Sequence, residues 1–152
     1  MSVESAGLLL YRRRDTTLEV LLVHPGGPFW QKRDDGAWTI PKGEIGADEE
    51  GIEVARREFR EELGMPVPEG AFVALGTVRQ AGGKLVHAWA VPGDLDVTRM
   101  VSNTFPLEWP PRSGKMRQFP EVDRALWLDP AAARRKILPA QRAFIDRLEA
   151  LP

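Results

Sequence analysis

Between Asp48 and Leu63 the chain carries a helical repeat whose charges stand in the wrong place. At about 100° per residue, Ile52, Ala55, Phe59 and Leu63 fall on one stripe, which predicts an amphipathic helix lying on a packed layer. Asp48 is the expected N-cap, Glu49 and Glu50 suit the first turn, and Gly64 is the stop signal. Glu58, Glu61 and Glu62 crowd the last turns, where the helix dipole favours cations. Their i, i+3, i+4 spacing also makes them like-charged neighbours. They flank the apolar stripe rather than oppose it. That puts them at the seam between helix and core, where an unpaired charge cluster is costly. A bound cation removes the conflict, and a donor set made only of oxygen points to a hard ion, Mg²⁺ or Mn²⁺. Glu49, Glu53 and Arg57 form a separate row, in which Arg57 is expected to pair with Glu53 and reach towards Glu49.

The rest of the chain sets this helix in a layered fold. Gly7–Tyr11 and Leu18–His24 are apolar runs split by the polar RRRDTT, which predicts a hairpin. HPGGPFWQKRDDG, 24–36, reads as a long loop. Ala37–Ile40 reads as a short strand broken by Pro41-Lys42-Gly43. Phe72–Arg79 and Leu85–Val91 are two more strands, and the proline-rich, basic stretch 92–120 reads as a surface excursion. Ala125–Leu128 is a last strand, Asp129-Pro130 starts a helix, and Ala140–Leu151 is a further one. Strands interspersed with helices in 152 residues indicate one α/β or α+β domain over residues 1–152.

Composition narrows the function classes. The 21 basic and 22 acidic residues nearly cancel, so no overall field marks a nucleic-acid or membrane-surface binder. With no cysteine, thiolate metal sites, disulfides and cysteine nucleophiles are excluded. The N-terminal stretch lacks the order of a secretory signal, no run reaches membrane-spanning length, and a cytoplasmic protein is expected.

Taken alone, REFREELG, 57–64, reads better as a solvated acidic face than as a site. The wider stretch decides. From Gly43 to Met65 the spacing is G-x5-E-x7-R-E-U-x-E-E-x-G-U, with U bulky and apolar, and it resembles the signature of the Nudix hydrolase family at every fixed position. Seven fixed residues would match by chance at roughly one in a billion per start position. Phe59 stands at a U position that is usually aliphatic.

The resemblance implies a Nudix fold, a mixed sheet sandwiched between helices. It implies a hydrolase that uses Mg²⁺ or Mn²⁺ and an activated water to cleave a nucleoside diphosphate linked to another group. Carried over by position, Glu58, Glu61 and Glu62 are metal ligands, the Gly43 carbonyl is a further one, and Arg57 orients Glu58 or Glu49. The general base varies across the family, so Glu58, Glu61 and a distant loop glutamate all stay open. Glu121, six residues before Trp127, is the distant candidate, and Glu108 a weaker rival. Homodimers are common in the family.

Substrate signals are sparser. Lys42, in W-T-I-P-K-G-E, resembles members acting on dinucleoside polyphosphates, diphosphoinositol polyphosphates or capped RNA, where it would serve as a point charge for a longer phosphate chain. Phe29 and Trp30, near Lys32 and Arg33, suit a nucleobase with its phosphates, though Phe and Trp are ordinary core residues too. Arg112, Lys115 and Arg117 read as a basic surface loop, and His87 as an ordinary strand histidine. The expected substrate is a small nucleotide, leaning to dinucleoside polyphosphates. Nucleoside triphosphates and ADP-ribose-like nucleotide sugars are the alternatives. A silent nucleotide sensor is disfavoured, because all the signature carboxylates are present.

Overall fold

A computed structural model describes residues 3–152. Two long strands, β1 (Glu4–Arg14) and β2 (Thr17–Pro25), make the expected hairpin. Ala6, Leu8 and Leu10 face one side of the sheet and Leu9 the other, while Leu21 and Val23 oppose Leu18, Val20 and Leu22 in the same way. Both faces are therefore apolar and both must be covered. Helix α1 (Gly51–Leu63) covers the first with Val54, Ala55, Phe59 and Leu63. Helices α2 (Pro130–Lys136) and α3 (Arg142–Glu149) cover the second with Ala133, Phe144, Ile145 and Leu148. Asp129 caps α2 as expected, its carboxylate accepting from the Ala132 N–H.

The remaining strands are β3 (Lys42–Glu44), β4 (Val73–Arg79), β5 (Leu85–Pro92), β6 (Thr104–Glu108), β7 (Met116–Pro120) and β8 (Val122–Leu128). The main sheet runs β4-β5-β1-β2-β8, with β3 also on β1. Only the β1–β5 pair is parallel, so the sheet is mixed, as expected. Among the described residues no helix is long and apolar enough to cross a membrane.

Five local expectations need correction. The strand expected at 37–40 is reduced to isolated bridges at Trp38 and Thr39, and of the supposed break at 41–43, Lys42 and Gly43 lie in a strand. The cause is a splay in the hairpin. β1 and β2 pair only over Tyr11–Arg14 and Thr17–Val20, and residues 39–44 wedge in beyond. There Thr39 bridges Val23, while Lys42, Gly43 and Glu44 pair with Gly7, Ala6 and Ser5. The fit is tight: a Cβ on Gly7 would lie 2.5 Å from the Pro41 carbonyl oxygen.

Helix α1 starts at Gly51, not after Asp48, which takes a left-handed backbone with φ 62° that no N-cap adopts. Its buried face uses Val54, while Ile52 is only partly covered. The 92–120 excursion is not irregular throughout. It contains β6 and β7, paired as a separate two-stranded sheet.

Candidate active site

The last two turns of α1 meet the sheet at β3, and the acidic cluster lies along that seam. Burial grades across it. Glu62 is only 7% exposed, whereas the side chains of Glu58 and Glu61 are 20% and 41% exposed. Arg57 sits outside the cluster and binds Glu49 at 2.5 Å, with Glu58 at 3.8 Å and Glu61 at 4.0 Å. Glu53 pairs with Arg56 instead, so the expected Arg57–Glu53 contact does not form. Glu49 also accepts from the Gly46 N–H at 2.6 Å, which ties the loop before α1 to the helix through Arg57.

Electrostatics follow from that burial. The Glu62 carboxyl is pushed well above the ordinary glutamate range, first by burial and then by Glu58. Lys42 opposes the shift through its charge and through its backbone N–H, which donates to the Glu62 carboxylate. Glu58 is raised by burial and by Glu61, and it shares a hydrogen bond with Glu62. Glu121 is raised by burial and by Glu61. Glu58, Glu62 and Glu121 thus share one electrostatic cluster around Glu61, and the raised values of those three record charge the fold does not fully neutralise.

Gly43 is shaped to this cluster. A Cβ there would stand 2.1 Å from the Glu58 carboxyl carbon, so the Glu58 carboxylate occupies the space a side chain would need. The wedge that displaces the expected strand is what carries Gly43 to α1. Among the described residues, no three acidic or histidine side chains already converge on one coordination point.

Glu121 reaches the cluster by a route the sequence does not announce. The Val101 N–H donates to the Leu63 carbonyl at 3.0 Å, and the Asn103 N–H to the Glu61 carbonyl at 2.8 Å. Two carbonyls left open by the end of α1 are satisfied this way. Asn103 then passes the connection on, its carbonyl accepting from the Glu121 N–H at 2.9 Å, and Ser102 Oγ accepts from the Val122 N–H at 3.1 Å. On the other side the Gly26 N–H donates to the Glu121 carbonyl at 2.9 Å. Asn103 and Gly26 act through their backbone and Ser102 through its hydroxyl, and only the proximity of Gly26-Gly27 to a histidine-ended strand hinted at a close approach.

The other expected residues divide. Lys42 is no loop residue. It opens β3, and burial lowers its pKa against the pull of Glu62. Phe29 is 62% exposed and packs edge-on to Trp109 at 5.5 Å. Trp30 and Arg33 stack on each other at 5.4 Å. Glu108 accepts from the Arg112 N–H within the β6–β7 hairpin, away from the cluster's other partners. His87 bonds Thr77 and Glu4, the ordinary strand role expected of it. His24 is fully buried between Asp123, 2.8 Å from Nδ1, and the Arg33 carbonyl, 2.6 Å from Nε2.

A mixed sheet between helices, with an acidic helix end facing a glycine strand, was compared with known proteins. The model of the NUDIX domain matches residues 1–148. The chain belongs to the Nudix family. Over 64 residues it is 36% identical to the CTP pyrophosphohydrolase of Escherichia coli (strain K12). That match covers 41% of this chain and 47% of the relative, so it spans about half the length of the relative. Among solved structures, a Caenorhabditis elegans (C. elegans) Ap4A hydrolase binary complex superposes with a TM-score of 0.66 at 20% identity, covering 96% of each chain. The NUDIX domain of Shewanella oneidensis NrtR, complexed with ADP ribose, gives 0.65 at 19% identity, covering 98% of this chain and 87% of that one. These two show the fold. The Nudix fold expected from the signature is the one the chain adopts, and the family and the E. coli relative support the expectation of a pyrophosphohydrolase.

Proposed function

We propose that the protein is a divalent-metal-dependent Nudix pyrophosphohydrolase that cleaves a phosphoanhydride bond in a nucleoside polyphosphate. The observation that carries this reading is the mutually repelling set Glu58, Glu61, Glu62 and Glu121, graded from the buried Glu62 to the exposed Glu121, with Glu58 laid against the bare backbone of Gly43. The donors are all oxygen, which suits Mg²⁺ or Mn²⁺. Glu58, Glu61, Glu62 and the Gly43 carbonyl would hold the ion, with the more exposed Glu61 rotating inward. Bound there, the ion would screen the phosphate oxygens and acidify a water.

The chain's own groups do the rest. Arg57 clamps Glu49 and keeps its charge beside Glu58 and Glu61, which fixes the helix against the preceding loop. Glu121 acts as the proton acceptor for the attacking water, since its raised proton affinity brings it closer to neutral pH. Its tether to Asn103 and Gly26 holds it over the end of α1.

The relatives named above carry CTP, Ap4A and ADP ribose in their names, and all three join a nucleoside to a phosphoanhydride. That supports the substrate class. Dinucleoside polyphosphates remain the first choice within it, with Lys42 at the entrance to β3. A nucleoside triphosphate is the second reading, favoured because the charge of Lys42 already faces Glu62 rather than standing free for a longer phosphate chain.

Product analysis separates the two. The protein is incubated with Mg²⁺ and diadenosine tetraphosphate, nucleoside triphosphates or ADP-ribose, and products are resolved by anion exchange. ATP plus AMP from the dinucleotide, well above the other rates, supports the first reading. Monophosphate plus pyrophosphate from a triphosphate replaces it with the second. No turnover of any phosphoanhydride overturns both.

A further inference from the structure

A cleft of about 350 Å³ opens between the 26–31 loop and the β6–β7 hairpin. Gly27, Pro28 and Gln31 line one side, and Trp109, Arg117 and Phe119 the other. We propose that this cleft is the nucleobase site, so that the hairpin sets which nucleotide the enzyme accepts. The inference rests on the pyrophosphohydrolase reading above and deepens it.

Position is the first argument. Pro120 and Asp123 also line the cleft, and Glu121 lies between them in the chain. The Gly26 N–H holds the Glu121 carbonyl, so the cleft and the proposed proton acceptor share one rigid joint. A nucleotide seated here would have its base against the hairpin and its phosphates on the side of Glu121, the residue that follows Pro120.

Chemistry is the second. A flat aromatic heterocycle is held by aromatic faces and by guanidinium groups, independently of base identity. The cleft offers Trp109 and Phe119, with the Arg117 guanidinium 5.3 Å from the Phe119 ring. The Gln31 amide and the Asp123 carboxylate supply polar groups for a base edge. Phe29, at the Trp109 edge, stays largely exposed. An exposed aromatic beside a cleft of this size is surface that a ligand would cover.

Construction is the third. The hairpin is hydrogen-bonded as its own sheet, and its residues belong to neither core cluster. Its packing goes instead to the loop. A Cβ on Gly26 would lie 2.0 Å from the Pro120 carbonyl oxygen, and one on Gly27, at φ 94°, would lie 3.1 Å from Phe105. The glycines let loop and hairpin close on each other, and the cleft is what that closure leaves.

Calorimetric titration with α,β-methylene-ATP and with inorganic tripolyphosphate, both with Mg²⁺, tests the assignment. The parent protein should bind the nucleotide at least about 10-fold more tightly than tripolyphosphate, the range expected for base stacking. Trp109→Ala should weaken the nucleotide by about 5- to 100-fold and leave tripolyphosphate within about two-fold. Arg117 is exposed and its aromatic contact is Phe119 in the cleft, so Arg117→Ala tests the same site without disturbing the core; a loss of about three-fold or more for the nucleotide alone is expected. Unchanged nucleotide affinity in folded Arg117→Ala and Trp109→Ala overturns the proposal. Equal losses for both ligands also overturn it, because they place the effect at the phosphates. Mg²⁺-dependent hydrolysis by the parent is measured alongside. If it is present while the variants bind normally, only the base site is wrong; if it is absent, the pyrophosphohydrolase reading itself has failed.

Discussion

Lys42 donates its backbone N–H to the carboxylate of Glu62, and its ammonium group pulls against the burial that raises the Glu62 pKa. Strand β3 and helix α1 are thus joined by a contact that leaves Glu62 short of full charge neutralisation. A divalent ion would complete it, and that gap has a pH signature. The folded-state pKa of Glu62 lies above its unfolded value, so between the two the native chain holds more protons than the unfolded chain. Stability without divalent ions should therefore fall as pH rises from about 4.3, the ordinary glutamate value, through the raised one. Glu62→Gln removes that term. In EDTA, the variant's Tm advantage over the parent should grow from about pH 5 to about pH 8. A pH-independent difference in melting scans would contradict the coupling.

Gly43→Ala should separate activity from stability. The added methyl meets the flexible end of Glu58, which can swing away, so the fold should lose no more than about 1 kcal/mol. The carboxylate it displaces is a proposed ion ligand. Turnover should drop by at least about 10-fold, with a matching rise in the Mg²⁺ concentration needed for half activation. Normal Mg²⁺ activation in the variant would remove Gly43 from the site.

Gly26→Ala should behave in the opposite way. Its methyl meets a backbone oxygen, which cannot swing aside. A loss of about 1–3 kcal/mol by urea denaturation is expected, together with reduced kcat because the Glu121 joint shifts. A stability equal to the parent's would show that loop and hairpin are not locked at this point.

Much of this site could be read from the chain before folding. The carboxylates Glu58, Glu61 and Glu62 were visible because a helical period and a like-charge repeat are both local. Strand β3 was not, because Pro41 and Gly43 read as breakers and a three-residue strand is recruited by the splay between β1 and β2, a non-local event. The β6–β7 hairpin was hidden by its prolines and by its lack of a buried face. Its one local signal was PPRSG, a turn between two short alternating runs, with Arg112 and Gly114 in left-handed conformations. The link from Asn103 to Glu61 uses only backbone atoms and leaves no trace in side-chain pattern. Nearness in sequence points to Trp30 and Arg33 as ligand contacts, yet they face each other, while Gln31 between them lines the cleft.

Glu121→Gln tests the proposed proton acceptor. The amide keeps the shape and loses the basicity, so kcat should fall by about 10²- to 10⁴-fold while KM and the Mg²⁺ requirement stay close to the parent's. The residual rate should also lose the acidic limb of the pH profile that titration of Glu121 would produce. A kcat within a few-fold of the parent's would move the role to Glu58 or Glu61.

If the acidic end of α1 is a divalent-cation site, Mn²⁺ binding followed by electron paramagnetic resonance detects it without substrate. Free Mn²⁺ is titrated against the parent, Glu58→Gln, Glu62→Gln and, as a control on the opposite face of the fold, Asp146→Asn. The account predicts saturable binding to the parent, a loss of at least about 10-fold in affinity in each glutamate variant, and no change in the control. Parent-like Mn²⁺ affinity in folded Glu58→Gln and Glu62→Gln would contradict it.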